Sequence, residues 1–215
     1  MSRSPYRSIL VLLVVGMTTV NETVQAAEPP EWAVAECEGL SAFAEVVHHW
    51  LDRQKPDGSF GFGLDDDCEF YKTWPIFVLA ADDQRVLDSL RKAMDWVWYD
   101  DRLQDGFVAA PRDVPHASEV TSYTAPLMSI IDYGNPIFIE RLMTTSKNIE
   151  KWTSINQAGH RHFRCNWLSS QECPEYAYFA SDVAIISRAT IPMMHLLWYN
   201  RDSDLARFYT EWGRA

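Results

Sequence analysis

The chain has 215 residues, of which 47% are hydrophobic and 13% aromatic, and its formal net charge is −11. This much apolar and aromatic surface excludes a disordered or low-complexity chain, and the length suits one domain. Nucleic acids and anionic membranes need a basic protein face, so the acidic balance argues against either as a partner.

The N-terminus has the pattern of a secretory signal peptide. Arg3 and Arg7 precede an apolar run over residues 9–15, and a polar stretch then ends at Ala26. A membrane-spanning helix needs about 20 apolar residues, so this run is too short for an anchor. We therefore predict a signal peptide over residues 1–26, a secreted or periplasmic mature chain, and no membrane association after cleavage.

Four cysteines follow the predicted cleavage site: Cys37, Cys68, Cys165 and Cys173. An even number in an exported chain predicts two disulfides, with 165–173 as the favoured pair, although three connectivities are possible. Buried thiols are the alternative. No CxxC or paired Cys/His spacing occurs, so we expect no metal site and no cofactor.

Apolar residues recur at helical spacing in three stretches, 40–51, 86–97 and 138–152, whereas no stretch alternates with the period of a strand. Capping residues mark three helix starts, at Asp82 or Asp83, at Asn135 before Pro136, and at Asp202 or Ser203. The pattern predicts an all-α protein.

These helices follow a repeat of helix, long loop, helix and short turn, with a period of about 50 residues. The long loops begin near Asp57, Asp105 and Gly159, and each following helix carries a proline, at Pro75, Pro126 or Pro192. Such a repeat is typical of stacked helical hairpins. We predict one α/α-hairpin domain over residues 31–215, with its long loops gathered at one end.

The first two long loops carry the candidate acid and base. Four carboxylates lie within residues 65–69, and such crowding can raise the pKa of one of them. Glu69 and Glu119 each lie at the start of a proline-containing helix, so they could face a common cleft and supply acid and base to a glycosidic bond. Each could instead only stabilise a helix N-terminus.

Several loop residues are candidate substrate contacts: Asp66, Asp67, His116, Tyr123, Arg164 and Trp167. Trp167 lies in a loop, where an aromatic ring can stack on a sugar. The third loop also suggests a different reaction, in which His162 and Tyr178 transfer protons while Arg164 neutralises the carboxylate of a sugar acid.

An exported chain of helical hairpins, with Asp-Gly-aromatic motifs closing helices and acidic or His/Tyr-rich loops, resembles the six-hairpin (α/α) toroid superfamily of glycoside hydrolases and polysaccharide lyases. The resemblance covers residues 31–212 and implies an oligosaccharide or an acidic polysaccharide as substrate. A full toroid has twelve helices, whereas this sequence predicts seven or eight. We therefore expect an incomplete toroid whose open edge favours self-association.

Three functions fit this pattern. The chain is expected to be a glycoside hydrolase that uses Glu69 and Glu119, or a polysaccharide lyase that uses His162 and Tyr178. The alternative is a non-catalytic glycan-binding or scaffold module, truncated relative to the enzymes.

Overall fold

The computed structural model describes residues 28–109, 114–164, 168–171 and 183–213, and these are mostly helical, as predicted. The chain divides into two compact units, Met1–Glu38 and Gly39–Ala215. None of the described helices has both the length and the apolar character needed to cross a membrane. The described helices are α1 (Glu31–Leu51), α2 (Leu64–Phe70), α3 (Pro75–Ala81), α4 (Gln84–Trp98), α5 (Val114–Ser122), α6 (Ala125–Ile131), α7 (Pro136–Asn148), α8 (Val183–Asn200) and α9 (Ser203–Gly213), with a 3-10 turn at Ile149–Trp152.

The first unit is described only from residue 28. Three residues without regular structure lead into the start of α1, whose side chains there are largely exposed, and Trp32 is 70% exposed. The predicted signal peptide at 1–26 lies outside the described residues and stays a prediction.

The predicted apolar faces are buried in the second unit. Val86, Leu90, Ala93 and Val97 on α4 are all fully buried, as are the apolar residues of the third stretch, Phe138, Leu142, Ile149 and Trp152. On α1, Val47 is buried whereas Phe43 is 38% exposed.

All three predicted caps are present. The Asp83 carboxylate accepts hydrogen bonds from the first amides of α4, and the Asn135 side chain accepts one from Ile137 N. Asp202 Oδ1 accepts from the amides of Asp204 and Leu205 at 3.0 and 3.1 Å. These side chains satisfy N–H groups that have no partner within the helix.

Two of the predicted proline-containing helices are each split in two. Pro75 begins α3 after α2 has ended, and Pro126 lies in the first turn of α6 after α5 has ended. Proline lacks an N–H and its ring clashes with the preceding turn, so a helix ends before it more readily than it continues through it. Pro192, in contrast, lies inside α8.

Two short β-hairpins were not predicted. Strands β1 (Leu103–Gln104) and β2 (Phe107–Val108) pair antiparallel, as do β3 (Thr153–Ile155) and β4 (Arg161–Phe163). The first turn has positive φ at both Asp105 and Gly106, 56° and 82°. An Asp-Gly pair in this conformation is a strong hairpin signal, so the interpretation of 105–107 as only a helix end was wrong.

The packing of the second unit brings three helices together. Helix α5 packs against both α2 and α8, while α7 packs against α6 and α8. One buried cluster runs from Val47 to Phe138, and a second runs from Phe107 to Phe208. Helix α5 therefore contacts both α2 and α8.

Cys68 is a buried thiol and not half of a disulfide. The Tyr71 hydroxyl donates a hydrogen bond to Cys68 Sγ at 3.3 Å, and burial raises the pKa of the thiol. The expectation of two disulfides is therefore wrong, because Cys68 takes part in none. Cys165 and Cys173 lie outside the described residues, and their pairing stays a prediction.

Gly106 allows the first hairpin to approach α7 closely. We therefore expect a larger residue at this position to lower the free energy of unfolding. A methyl group built on Gly106 would clash with the buried side chain of Thr145, whereas one on Gly134 would meet no atom within 4 Å. Both glycines have positive φ, 82° and 81°. We expect Gly106→Ala to lower the free energy of unfolding by about 1–3 kcal/mol more than Gly134→Ala, because overpacking adds to the backbone strain that both share. Urea unfolding of the two variants measures this difference, and equal losses would contradict it.

Candidate functional site

Asp67 folds the first long loop onto α2. Its carboxylate accepts hydrogen bonds from the backbone N–H groups of Phe60, Phe62 and Gly61, at 2.7, 3.0 and 3.3 Å. The side chain is completely buried. The expectation that Asp67 contacts substrate is therefore wrong, because its oxygens face backbone amides and none of its surface is accessible to a ligand.

Aromatic rings hold this loop and α2 in place. Phe70 makes edge-to-face contacts, each with a centroid distance of 5.1 Å, to Trp50, Phe62 and Trp74, and Phe60 packs on Phe70 at 5.4 Å. Such pairs add stability beyond the burial of their area. The last turn of α2, which carries Glu69, is therefore firmly positioned.

Packing of α2 against α5 brings Glu69 and Glu119 together. On each helix a second polar residue lies three positions earlier, Asp66 on α2 and His116 on α5, and residues at this spacing share a helix face. The two glutamate carboxyl groups are near enough for each to shift the pKa of the other. Four of the predicted site residues therefore lie in one cluster.

Glu119 is the buried member of the pair. Its side chain is 4% exposed, and Oε1 accepts a hydrogen bond from Arg188 Nη1 of α8 at 2.9 Å. Oε2 is buried and has no hydrogen-bond partner among the described residues. Burial and the charge of Glu69 raise the pKa of Glu119, while Arg188 and His116 oppose this shift.

Glu69 is the accessible member. Its side chain is 43% exposed and forms an ion pair with the amine of Lys72. The hydrogen bond from Lys72 lowers the pKa of Glu69. Lys72 Nζ also lies 5.4 Å from the centroid of the Tyr123 ring, so the predicted contact residue Tyr123 belongs to the same cluster.

Asp66 and His116 form the outer rim of the cluster. His116 Nε2 lies 3.5 Å from Asp66 Oδ1, and their side chains are 36% and 60% exposed. The whole arrangement combines an accessible ionised carboxylate, a buried carboxyl group that retains its proton to higher pH, and an exposed polar rim. Neighbouring carboxyl groups whose pKa values are displaced in opposite directions are the usual signature of an acid and base pair.

Of the remaining predicted site residues, the described contacts of His162 and Arg164 lie away from this cluster. His162 Nε2 lies 3.3 Å from Ser154 Oγ, and its Nδ1 lies 3.0 Å from the carbonyl oxygen of Phe163, so both contacts stay in the β3–β4 hairpin. Arg164 Nη2 donates to the carbonyl of Lys151 at 2.6 Å. Tyr178 and Trp167 lie outside the described residues.

The sequence interpretation missed Lys72 and Arg188. Lys72 follows Glu69 by three residues, a spacing that predicts an ion pair on a helix and was available as a signal. Arg188 is 69 residues from Glu119, and nothing local to either residue marks their contact. Within the described ranges, no group of three or more His, Cys, Asp or Glu side chains is placed to hold a metal ion.

The contact between Glu119 and Arg188 predicts that removal of Arg188 lowers the free energy of unfolding by an amount that depends on pH. In Arg188→Gln the buried Glu119 carboxylate loses its cation, so the folded-state pKa of Glu119 rises further above the unfolded value. Below the unfolded pKa the carboxyl is protonated in both states and little is lost, whereas above the folded pKa the charge is uncompensated. We expect a loss of about 2–3 kcal/mol at pH 8 and much less at about pH 4.

Urea unfolding at both pH values measures this loss, with Arg188→Gln/Glu119→Gln as the control. The double variant has no carboxylate to strand and should show no such pH dependence. A loss in Arg188→Gln that is equal at the two pH values would contradict the prediction.

Comparison with known proteins assigns no family to this chain. No family model, no curated protein and no solved structure matches the chain. The chemistry of the cluster therefore has to follow from the positions and charges of its own residues.

Proposed function

We propose that this protein is an exported glycoside hydrolase in which Glu119 and Glu69 act as acid and base on an oligosaccharide or polysaccharide. The main support is the arrangement of two neighbouring carboxyl groups, a buried one on Glu119 bonded to Arg188 and an accessible one on Glu69 paired with Lys72. Burial raises the pKa of Glu119, whereas the hydrogen bond from Lys72 lowers the pKa of Glu69. Export belongs to the proposal through the signal-peptide pattern of residues 1–26.

The chemistry assigns one step to each carboxyl group. Glu119 donates its proton to the oxygen of the departing sugar as the glycosidic bond breaks. The Glu69 carboxylate either attacks the sugar carbon or removes a proton from water. The separation of the two carboxyl groups distinguishes these steps, because retaining enzymes hold their carboxyl groups about 5–5.5 Å apart and inverting enzymes about 6.5–9.5 Å.

Hydrolysis has more support than elimination. The lyase mechanism needs His162 and Arg164 close to the substrate acid, whereas their described contacts lie along the β3–β4 hairpin and the preceding 3-10 turn. The acidic substrate stays part of the proposal through Lys72, whose accessible amine can meet a uronate carboxylate.

The proposed architecture is an incomplete array of stacked helical hairpins. The order of the described elements supports it: α2 and α8, which follow the first and third long loops, both pack against α5, which follows the second.

A non-catalytic glycan-binding module is the second candidate, and the burial of Glu119 favours it. A carboxyl group with a side chain only 4% exposed can reach a substrate only if its neighbours move. In this case the exposed rim of Asp66 and His116 would bind glycan without cleavage.

The test is glycan cleavage by the full chain, expressed with its own N-terminus and incubated with neutral and uronate-containing polysaccharides. We expect release of reducing ends, and a loss of about 100-fold or more in Glu69→Gln and in Glu119→Gln, because acid–base groups contribute this much to rate. Ser187→Ala, an exposed change on α8, is the control and should keep full activity. Absorbance near ~235 nm, from unsaturated uronates, would show elimination instead. Glycan binding with no cleavage would support the binding module.

The pH profile provides a sharper test of the two roles. Activity needs Glu69 ionised and Glu119 protonated. As the pH increases, the rate should rise where Glu69 ionises, below the ordinary glutamate pKa, and fall where Glu119 loses its proton, above it, which gives a bell-shaped profile. Lys72→Met removes the hydrogen bond that lowers the Glu69 pKa and should move the acidic limb to higher pH. An unchanged acidic limb in Lys72→Met would remove Glu69 from the role of base.

A further inference from the structure

A cleft of about 250 Å³ lies beside the hydrophobic cluster that runs from Phe107 to Phe208. None of the residues that line it belongs to the pair Glu69 and Glu119. It is formed by the end of α7, the 3-10 turn, β4 and the start of α9. The residues that line it include Ser146, Ile149, Arg161, Leu205 and Phe208. Its volume is below the range of about 300–1,000 Å³ that holds drug-sized ligands, so it suits a ligand of about one ring.

Ser146 lines this cleft, and its hydroxyl group has no hydrogen-bond partner within the described protein. The residue is 1% exposed, and its Oγ is buried with no hydrogen-bond partner among the described residues. Its neighbour Thr144 on the same helix instead donates to the carbonyl of Glu140 at 2.9 Å. A buried polar group without a partner is costly, and a ligand hydroxyl would remove that cost.

Four of the six charged residues that line the cleft take part in ion pairs. Arg161 contacts Glu150 at 3.2 Å and Glu211 at 2.8 Å, and Arg207 contacts Asp204 at 3.4 Å. The lining contains three cations, Lys147, Arg161 and Arg207, and three anions, Glu150, Asp202 and Asp204. Such walls are rich in donors and acceptors without a surplus of either sign, which favours a neutral polar ligand over an ion.

The cleft also has an apolar side. Ile149, Leu205 and Phe208 line it while remaining at most 8% exposed, and the Arg161 guanidinium lies 4.8 Å from the Phe208 ring centroid. A sugar ring has C–H faces that pack on apolar side chains and hydroxyl groups around its edge that both donate and accept. Its shape and polarity match a cleft with one apolar side and mixed polar walls.

We propose that this cleft binds a single neutral sugar ring, either free or at the end of a glycan chain. The inference does not depend on the proposed catalysis, because the cleft and the carboxyl pair share no residue. It gives the chain a glycan-binding site whether or not Glu69 and Glu119 perform hydrolysis.

The test is a titration of the full chain by two-dimensional NMR of its methyl groups, with methyl β-D-glucopyranoside and methyl β-D-galactopyranoside as the neutral probes. Sodium glucuronate and serine serve as an anionic and a zwitterionic probe. We expect saturable shifts of the Leu205 and Ile149 methyl signals below about 50 mM for at least one neutral probe. The absence of saturation by both neutral sugars, or tighter binding of glucuronate or serine, would overturn the proposal.

Ser146→Ala separates a binding role from a structural one. We expect about 3- to 10-fold weaker sugar binding, the effect of one lost hydrogen bond, with no loss in thermal stability because the hydroxyl has no partner in the protein. Ser187→Ala is the matched control and should bind as the wild type does. Glu69→Gln should also bind normally, so a failure of catalysis and a failure of this site are distinguishable. Unchanged affinity in Ser146→Ala would overturn the assignment.

Discussion

The contact between Glu119 and Arg188 is the constraint on which the candidate site depends. It joins α5 to α8 by a 2.9 Å hydrogen bond and neutralises a carboxylate that is almost fully buried. A buried charge without a partner would be strongly destabilising, so α8 has to remain against α5. Because α5 also packs against α2, it holds Glu119 beside Glu69.

The same packing explains why the pKa values of two glutamates, Glu119 and Glu69, are shifted in opposite directions. Glu119 faces the interior and the charge of Glu69, and both disfavour its ionised form. Glu69 faces solvent and the Lys72 amine, which favours ionisation. The difference arises from burial and neighbours alone, which is how one protein obtains an acid and a base from the same side chain.

Much of the helical framework was predictable. The faces of α4 and α7, and the caps at Asp83, Asn135 and Asp202, follow from local spacing and from the unpaired amides at helix starts. The proximity of Glu69 and Glu119 was predicted from their equivalent positions in the repeat. Asp67 was misassigned, because a carboxylate in an acidic run looks the same in sequence whether it faces solvent or backbone amides.

The sequence by itself determined where helices form and begin, since hydrophobic periodicity and capping act over a few neighbouring residues. It also placed Glu69 and Glu119 at matching points of the repeat. Only the tertiary structure decided which carboxyl group is buried, that Arg188 reaches Glu119 across 69 residues, and that Ser146 lines a cleft with its hydroxyl group unpartnered. These properties depend on desolvation and on contacts between distant segments, and both exist only once the chain has packed.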